Sequence, residues 1–386
     1  MIGRSPQYGA GKIVSLPSTH DDWLDLFARN APGQARATVA LYGLRRGGAP
    51  WLLLPSQSLL AARSLALYPA QTGRARAAKM LLQFALRLGL KPRLKKIQLT
   101  VAANDAFADY LCGTVRLPAG TLPHFAILAG NPRAPGRRFV LLLFGADGEP
   151  AAVVKAGVCA TAQEFVRHEA EFLQAVPSGL PGLPKLRGVF VAQNIRAFAL
   201  DFHAGSTPTA ESSSQVGALL GAWLATDQSV SLEELGAWRK LVAATSDSPL
   251  LEALAPLAQV RVHPALTHGD LAPWNVKVWR GEWTALDWER GERAGVPGWD
   301  WFHFEMQPAV LVRHEDLEAL LSRLERLLTS AEFLHYSVQA GIGAHGRALA
   351  LAYLAYCTRV TRQTEGREPL LALERAAMAR WFPKNS

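Results

Sequence analysis

Short apolar runs dominate the first half of the chain, and apolar residues at helical spacing dominate the second. Within 1–120, Thr38–Leu44 and Ile97–Ala102 predict strands, whereas RARAAKMLLQFALRL over 74–88 predicts a helix, rich in strong helix formers. Gly89 and Pro92 predict its end. From about residue 121, His124–Ala129, Arg138–Phe144 and Ala151–Ala156 predict three apolar strands. The turns AGNPRAPG and GADGEP between them suit antiparallel hairpins. The segment 161–175, TAQEFVRHEAEFLQA, predicts a helix placing Phe165, Ala170, Phe172 and Leu173 against a sheet, and Leu186–Ala192 and Ala197–Asp201 predict two more strands. After the loop FHAGSTP, 202–208, helices are expected over 211–227, 231–245, 248–259, 315–330 and 345–359, interrupted by a strand-rich insert at 265–290. The expected fold class is α+β. A basic α/β extension (1–120) precedes a small antiparallel-sheet lobe (121–201) and a mainly helical large lobe (202–386), with a cleft between the lobes.

Composition narrows the function classes. The chain has 386 residues, 49% hydrophobic and 19% charged, which excludes a disordered or collagenous protein. Its net charge of +9 is unevenly placed. Residues 1–120 hold 16 Lys/Arg against 5 Asp/Glu, and the remainder holds 25 against 27. The near-neutral two thirds therefore has no need of a polyanion. Cys112, Cys159 and Cys357 are far apart and match no zinc-ligand or disulfide pattern, which fits a reducing compartment. The first 23 residues carry no apolar signal region and no run approaches a bilayer span, so a cytoplasmic location is expected.

The insert reads LTHGDLAPWNVKVWRGEWTALDWERG. Val276–Trp279 and Trp283–Leu286 predict a strand pair turned at Arg280–Gly281, which would bring Asn275 and Asp287 together at its open end, near Asp270. Two oxygen ligands beside a third carboxylate suit Mg²⁺, a hard cation that shares its shell with substrate phosphates. Metal-held phosphate with a carboxylate able to orient a hydroxyl is the minimum for phosphoryl transfer.

The string HGDLAPWN, 268–275, followed by Asp287-Trp288-Glu289 resembles the catalytic loop and metal triplet of the aminoglycoside phosphotransferase/choline kinase family. That resemblance, covering about 121–386, implies a two-lobed protein-kinase-like fold and transfer of a γ-phosphate from ATP, or GTP, to a hydroxyl of a small molecule. It implies that Asp270 accepts or orients the acceptor's proton and that Asn275 and Asp287 hold Mg²⁺. It further implies a strand lysine binding the nucleotide phosphates, supplied by Lys155 in AAVVKAG, and a helix glutamate pairing with it, Glu169 in RHEAEFL. The turn 130–138 takes the phosphate-covering position with only Gly130 and Gly136 of the glycine pattern, and Asp201–His203 would form the adenine-binding hinge through backbone groups. His268 is expected to brace the loop backbone, and Asp300 to steady the loop. A competing reading is a kinase-like nucleotide-binding or regulatory module without catalysis, tethered through its basic third.

Six of the 11 Trp fall between 274 and 301; most are expected in the core, with Trp299 and Trp301 the candidates for a ligand-facing role. Aminoglycosides are polycations that need an acidic cleft, so a hydroxylated metabolite such as a sugar fits the mildly acidic large lobe better. For the basic third, the ordinary reading is a solvated face of an extra subdomain on the small lobe. Peripheral contact with an anionic membrane or a partner through residues 26–104 is the second reading, since 74–88 combines basic and apolar positions. Nucleic acid is disfavoured because the basic residues are not interleaved with stacking aromatics.

Overall fold

One antiparallel sheet of eight strands organises the first 201 residues of the computed structural model, which describes residues 22–27, 35–46, 49–68, 70, 72–90, 94–118, 120–130, 136–177, 179–208, 213–361 and 366–383. Its strands are β1 (Ala35–Arg46), β2 (Ala49–Pro55), β3 (Lys95–Ala102), β4 (Phe125–Ala129), β5 (Phe139–Phe144), β6 (Pro150–Gly157), β7 (Leu186–Val191) and β8 (Arg196–Asp201), in the order β3-β1-β2-β4-β5-β6-β8-β7. The five strands expected over 121–201 are all present. Residues 1–120 extend their sheet: β2 pairs with β4 through Leu52↔Leu128 and Leu53↔Ile127.

Strand alternation sorts the side chains onto two faces. Leu53, Ile127, Leu141, Val154 and Ala199 point one way, into a core closed by α3 (Ala106–Thr114) and by Trp23, Leu26 and Phe27. Leu52, Leu54, Leu142, Phe198 and Leu200 point the other way, under α1 (Ser58–Ser64), α2 (Gly73–Arg87) and α4 (Ala160–Ala175). Lys155, next to Val154, shares this second face. The α4 helix departs from expectation. Val166 and Ala170 meet the sheet, whereas Phe165 is exposed and Phe172 stacks on Trp288 of the large lobe at 5.0 Å.

The large lobe contains α5 (Ser213–Ala222), α6 (Gly236–Ala244), α7 (Ser248–Leu254), α8 (Trp299–Leu311), α9 (Leu317–Thr329), α10 (Ala331–Gln339), α11 (Gly346–Arg359) and α12 (Arg367–Trp381). Three short strand pairs accompany them: β9 (Val230–Ser231) with β10 (Arg261–Val262), β11 (Ala265–Thr267) with β14 (Glu292–Gly295), and β12 (Val276–Trp279) with β13 (Glu282–Ala285). The β12–β13 hairpin turns at Arg280 and Gly281, both with positive φ, as a two-residue turn with right-handed strand twist requires. The chain after the small lobe lies against this hairpin: Ser206 and Val278 exchange both backbone hydrogen bonds. Gly205 permits the approach, because a Cβ there would lie 2.3 Å from the Val278 carbonyl oxygen.

Two expectations for the large lobe are corrected. Trp299 and Trp301, the candidates for a ligand-facing role, lie in the first turn of α8, capped by Gly298 at φ +85. Trp299 and Trp301 are accordingly buried, Trp301 edge-on to Phe333 and Tyr336, while the exposed tryptophan is Trp279 on the hairpin. The helices α10 and α12 were also not expected, and the first helix is shorter than 211–227.

Candidate active site

The HGDLAPWN residues, 268–275, lie between β11 and β12. Gly269 turns the chain with φ +75, and a Cβ there would meet the Arg290 carbonyl at 2.8 Å, so glycine is required on both counts. The loop backbone is held by two buried side chains. Asp300 accepts hydrogen bonds from the His268 and Gly269 N–H groups at 2.6 and 3.0 Å. His268 donates through Nε2 to the Leu286 carbonyl at 2.8 Å and accepts from the Asp270 N–H at Nδ1. Both residues support the loop from behind, in agreement with their expected roles.

Asp270 is positioned by three further contacts. The Asn275 side-chain amide donates to the Asp270 carbonyl at 2.9 Å and to its Oδ2 at 3.3 Å. Its Oδ1 lies 3.0 Å from Nε2 of His303, a residue that the sequence reading did not single out. His303 is buried in α8, and its Nδ1 meets the Tyr353 hydroxyl of α11 at 3.1 Å. Burial opposes a charge on His303, but the hydrogen bond to Asp270 prevails and lifts its pKa to about 9. Burial likewise opposes ionisation of Asp270, and the His303 contact outweighs it, leaving its carboxyl below the ordinary range. The two form an imidazolium–carboxylate pair at neutral pH, with the second Asp270 oxygen directed to Asn275.

A sequence signal for His303 existed. In WDWFHFEMQPAVL the polar residues Asp300, His303 and Gln307 recur at i, i+3 and i+7, and all three are buried. A polar stripe at helical period in an otherwise apolar buried helix requires polar partners, and here these are the loop and Tyr353.

Asp287 follows β13 with φ +74, a left-handed conformation that costs a non-glycine residue about 1 kcal/mol. Its Oδ1 accepts from Lys155 Nζ at 2.8 Å. Lys155 also donates to both oxygens of Glu169 on α4, at 2.6 and 2.8 Å. The expected lysine–glutamate pair is formed. Glu164 and Glu171 instead turn outward to Arg167. Burial alone would lower the Lys155 pKa, but the two carboxylates raise it, so the ammonium is kept. Asp287 is held down to about 2, its burial more than offset by Lys155 and Arg138. Glu169 moves upward, because burial dominates over its lysine.

The residues after Asp287 are tied to the small lobe. Trp288 N–H donates to Glu169 Oε1 at 3.0 Å, His168 donates through Nδ1 to the Glu289 carbonyl at 2.9 Å, and the Glu289 carboxylate pairs with Arg138 at the start of β5. Arg138 and Glu289 are thus a second cation–carboxylate link between the lobes, one that the sequence reading left unassigned. Of the turn expected to cover phosphate, residues 131–135 lie outside the described residues. Gly130 closes its base by donating to the Arg138 carbonyl at 3.2 Å, and Gly136, at φ +73, rests on Thr161 and Phe165 of α4.

At the expected hinge, the Asp201 carboxylate pairs with Arg187 at 2.5 Å and its N–H donates to the Lys185 carbonyl. Its carbonyl and the backbone from His203 onward are what it can offer a base. A cavity of about 380 Å³ lies between His203 and the hairpin residues Lys277 and Thr284. The His203 Nε2 is buried without a protein partner, and burial lowers its pKa.

The oxygens fit a magnesium ion shared with phosphate rather than an all-protein metal cage. Among the described residues no group of three His, Cys, Asp or Glu side chains could hold a metal. Asn275 uses its NH₂ on Asp270 and so keeps its amide oxygen out of that contact, and Asp287 uses one oxygen on Lys155. One amide and one carboxylate oxygen, with phosphates completing the shell, is a usual Mg²⁺ arrangement.

No family model and no curated protein matches the chain. Among solved structures it is similar to a thermostable mutant of aminoglycoside phosphotransferase APH(4)-Ia in ternary complex with ADP and hygromycin B, at 14% identity over 70% of this chain and 97% of that one, TM-score 0.42. It is also similar to a Plasmodium vivax ethanolamine kinase, at 9% identity over 65% and 81% of the two chains, TM-score 0.43. A putative fructosamine-3-kinase from Haemophilus somnus 129PT is similar at 12% identity over 70% and 96%, TM-score 0.40. These likenesses carry no substrate over to this chain.

Proposed function

We propose that the protein is a phosphotransferase that moves the γ-phosphate of ATP, or GTP, to a hydroxyl of a small molecule with Mg²⁺ present. The observation that carries this reading is the convergence of Lys155, Glu169, Asp287, Asn275 and Asp270. They come from β6, α4, the loop before β12 and the end of β13: hydrogen bonds join Lys155 to Glu169 and Asp287, and Asn275 to Asp270, and the Leu286 N–H donates to the Asn275 carbonyl between the two groups. Lys155 would hold the nucleotide phosphates with Glu169 fixing its ammonium, and the base would lie against the backbone near His203. Asn275 and Asp287 would hold the cation, which when bound neutralises charge on the phosphates. Asp270, ionised and aimed by His303 and Asn275, would orient the acceptor hydroxyl and take its proton as the new bond to phosphorus forms.

The acceptor class is a hydroxylated metabolite: sugar, amino alcohol or aminoglycoside-like compound. A panel of such compounds with ATP and Mg²⁺, scored for ADP release, tests the reading. Asp270→Ala is expected to lower turnover about 10²–10⁴-fold with nucleotide binding retained. An unchanged rate in that variant would remove Asp270 from the reaction.

A further inference from the structure

The α2 helix carries a surface that phosphoryl transfer does not use. Its inner side is seated on the sheet: Leu86 is fully buried against Leu52 and Leu54, and Lys79 turns inward to donate to the Tyr68 carbonyl at 2.7 Å. Its outer side presents Met80, Leu81, Phe84 and Leu88, with Leu90 just beyond, at 69, 71, 63, 61 and 58% exposure. At 100° per residue the four helical-face positions fall within an arc of about 100°. Arg74 borders one edge of that arc, and Arg87 and Arg76 border the other; all three are exposed. Lys95 and Lys96, exposed at the start of β3, add to the same sign, and no acidic residue occurs between Asp25 and Asp105.

We infer that this face of α2 lies on an anionic phospholipid bilayer. The apolar stripe would enter the acyl boundary, and the bordering arginines would meet lipid phosphates. Charge selects this occupant over a second copy of the chain. A two-fold contact through α2 would set arginine borders against identical arginine borders, with no carboxylate in 26–104 to offset them. A polynucleotide would satisfy the arginines but leave five large apolar side chains in water. The helix, 15 residues long, suits lying in the interface, and no helix among the described residues is long and apolar enough to cross a membrane.

Flotation of the full-length protein with vesicles of phosphatidylcholine, alone or with about one-third phosphatidylglycerol, tests this. Binding is expected to the mixed vesicles and to weaken with salt. The triple variant Met80→Ser, Phe84→Ser, Leu88→Ser should bind at least ~10-fold more weakly, while its melting temperature and its nucleotide-dependent stabilisation stay those of the parent. Arg74→Gln, Arg76→Gln, Arg87→Gln should lose the preference for the anionic lipid. The inference fails if the parent does not float with the mixed vesicles, or if the serine variant floats as well as the parent. It also fails if sedimentation shows a lipid-independent dimer that the serine substitutions dissociate, since a second copy then covers the face.

Discussion

His303 is the residue whose environment makes the sharpest claim. Its pKa of about 9 in the folded chain lies above the ordinary 6.5, so its protonated form contributes stability below pH 6.5. That contribution is lost as pH rises through 9. Asp270 has the opposite sense: its lowered pKa makes its contribution one that is lost in acid. Replacing His303 with Gln keeps a donor for Asp270 but removes the titration. We expect the variant to melt below the parent at pH 6.5, consistent with loss of a charge-assisted hydrogen bond of about 1.5–3 kcal/mol. The gap should narrow as pH is raised to 9 and beyond. Melting curves across pH check this, and a gap that ignores pH would show that His303 is neutral.

Among the elements, α8 links fold and candidate site, because one face of it fills the core and another holds the loop 268–275. Asp300→Ala would leave the buried His268 N–H and the Gly269 N–H without their acceptor, at a cost of about 2–4 kcal/mol, whereas Asp300→Asn keeps one acceptor and should cost less. Chemical denaturation of the two variants gives the order, and equal losses would mean that the charge, not the hydrogen bonds, supports the loop. The same helix shows where the sequence was opaque. Pro297 and Gly298 before Trp299 read as loop punctuation, but Gly298 at positive φ caps the helix, and with its polar stripe buried and no residue exposed α8 lacks the solvent-facing polar side of an amphipathic pattern. By contrast, β4 to β8 and the β12–β13 hairpin were legible, since their runs end at turn residues such as Arg280–Gly281. Lys155, Glu169, Asp270, Asn275 and Asp287 were legible only as a set in order along the chain. Contacts that join distant segments, such as His303 with Asp270 and Arg138 with Glu289, have no local signature, apart from the buried polar stripe on α8. The joining of β1–β3 to the β4–β8 sheet was hidden for the same reason, because β2 and β4 are separated by two helices, a strand and a third helix.

At the scale of the whole molecule, the lobes meet through Lys155–Asp287, Trp288–Glu169, His168–Glu289 and Arg138–Glu289, so the small lobe grips the triplet that would hold the metal. One ammonium facing two carboxylates leaves the Lys155, Glu169 and Asp287 cluster net negative when both are ionised, a charge that an Mg²⁺ ion held beside Asp287 would offset. Nucleotide with Mg²⁺ should therefore stabilise the protein more than nucleotide alone. At a hundred times the Kd the stabilisation is about 2.7 kcal/mol, readable as a rise in melting temperature. Asp287→Asn still offers Lys155 an acceptor, so the lobes stay joined, but it removes the charged oxygen. In that variant ATP alone should still raise the melting temperature, and adding Mg²⁺ should raise it no further. If Mg²⁺ adds the same increment to variant and parent, Asp287 does not hold the cation. If ATP raises neither, the cleft does not take a nucleotide, and the phosphotransferase reading falls with it.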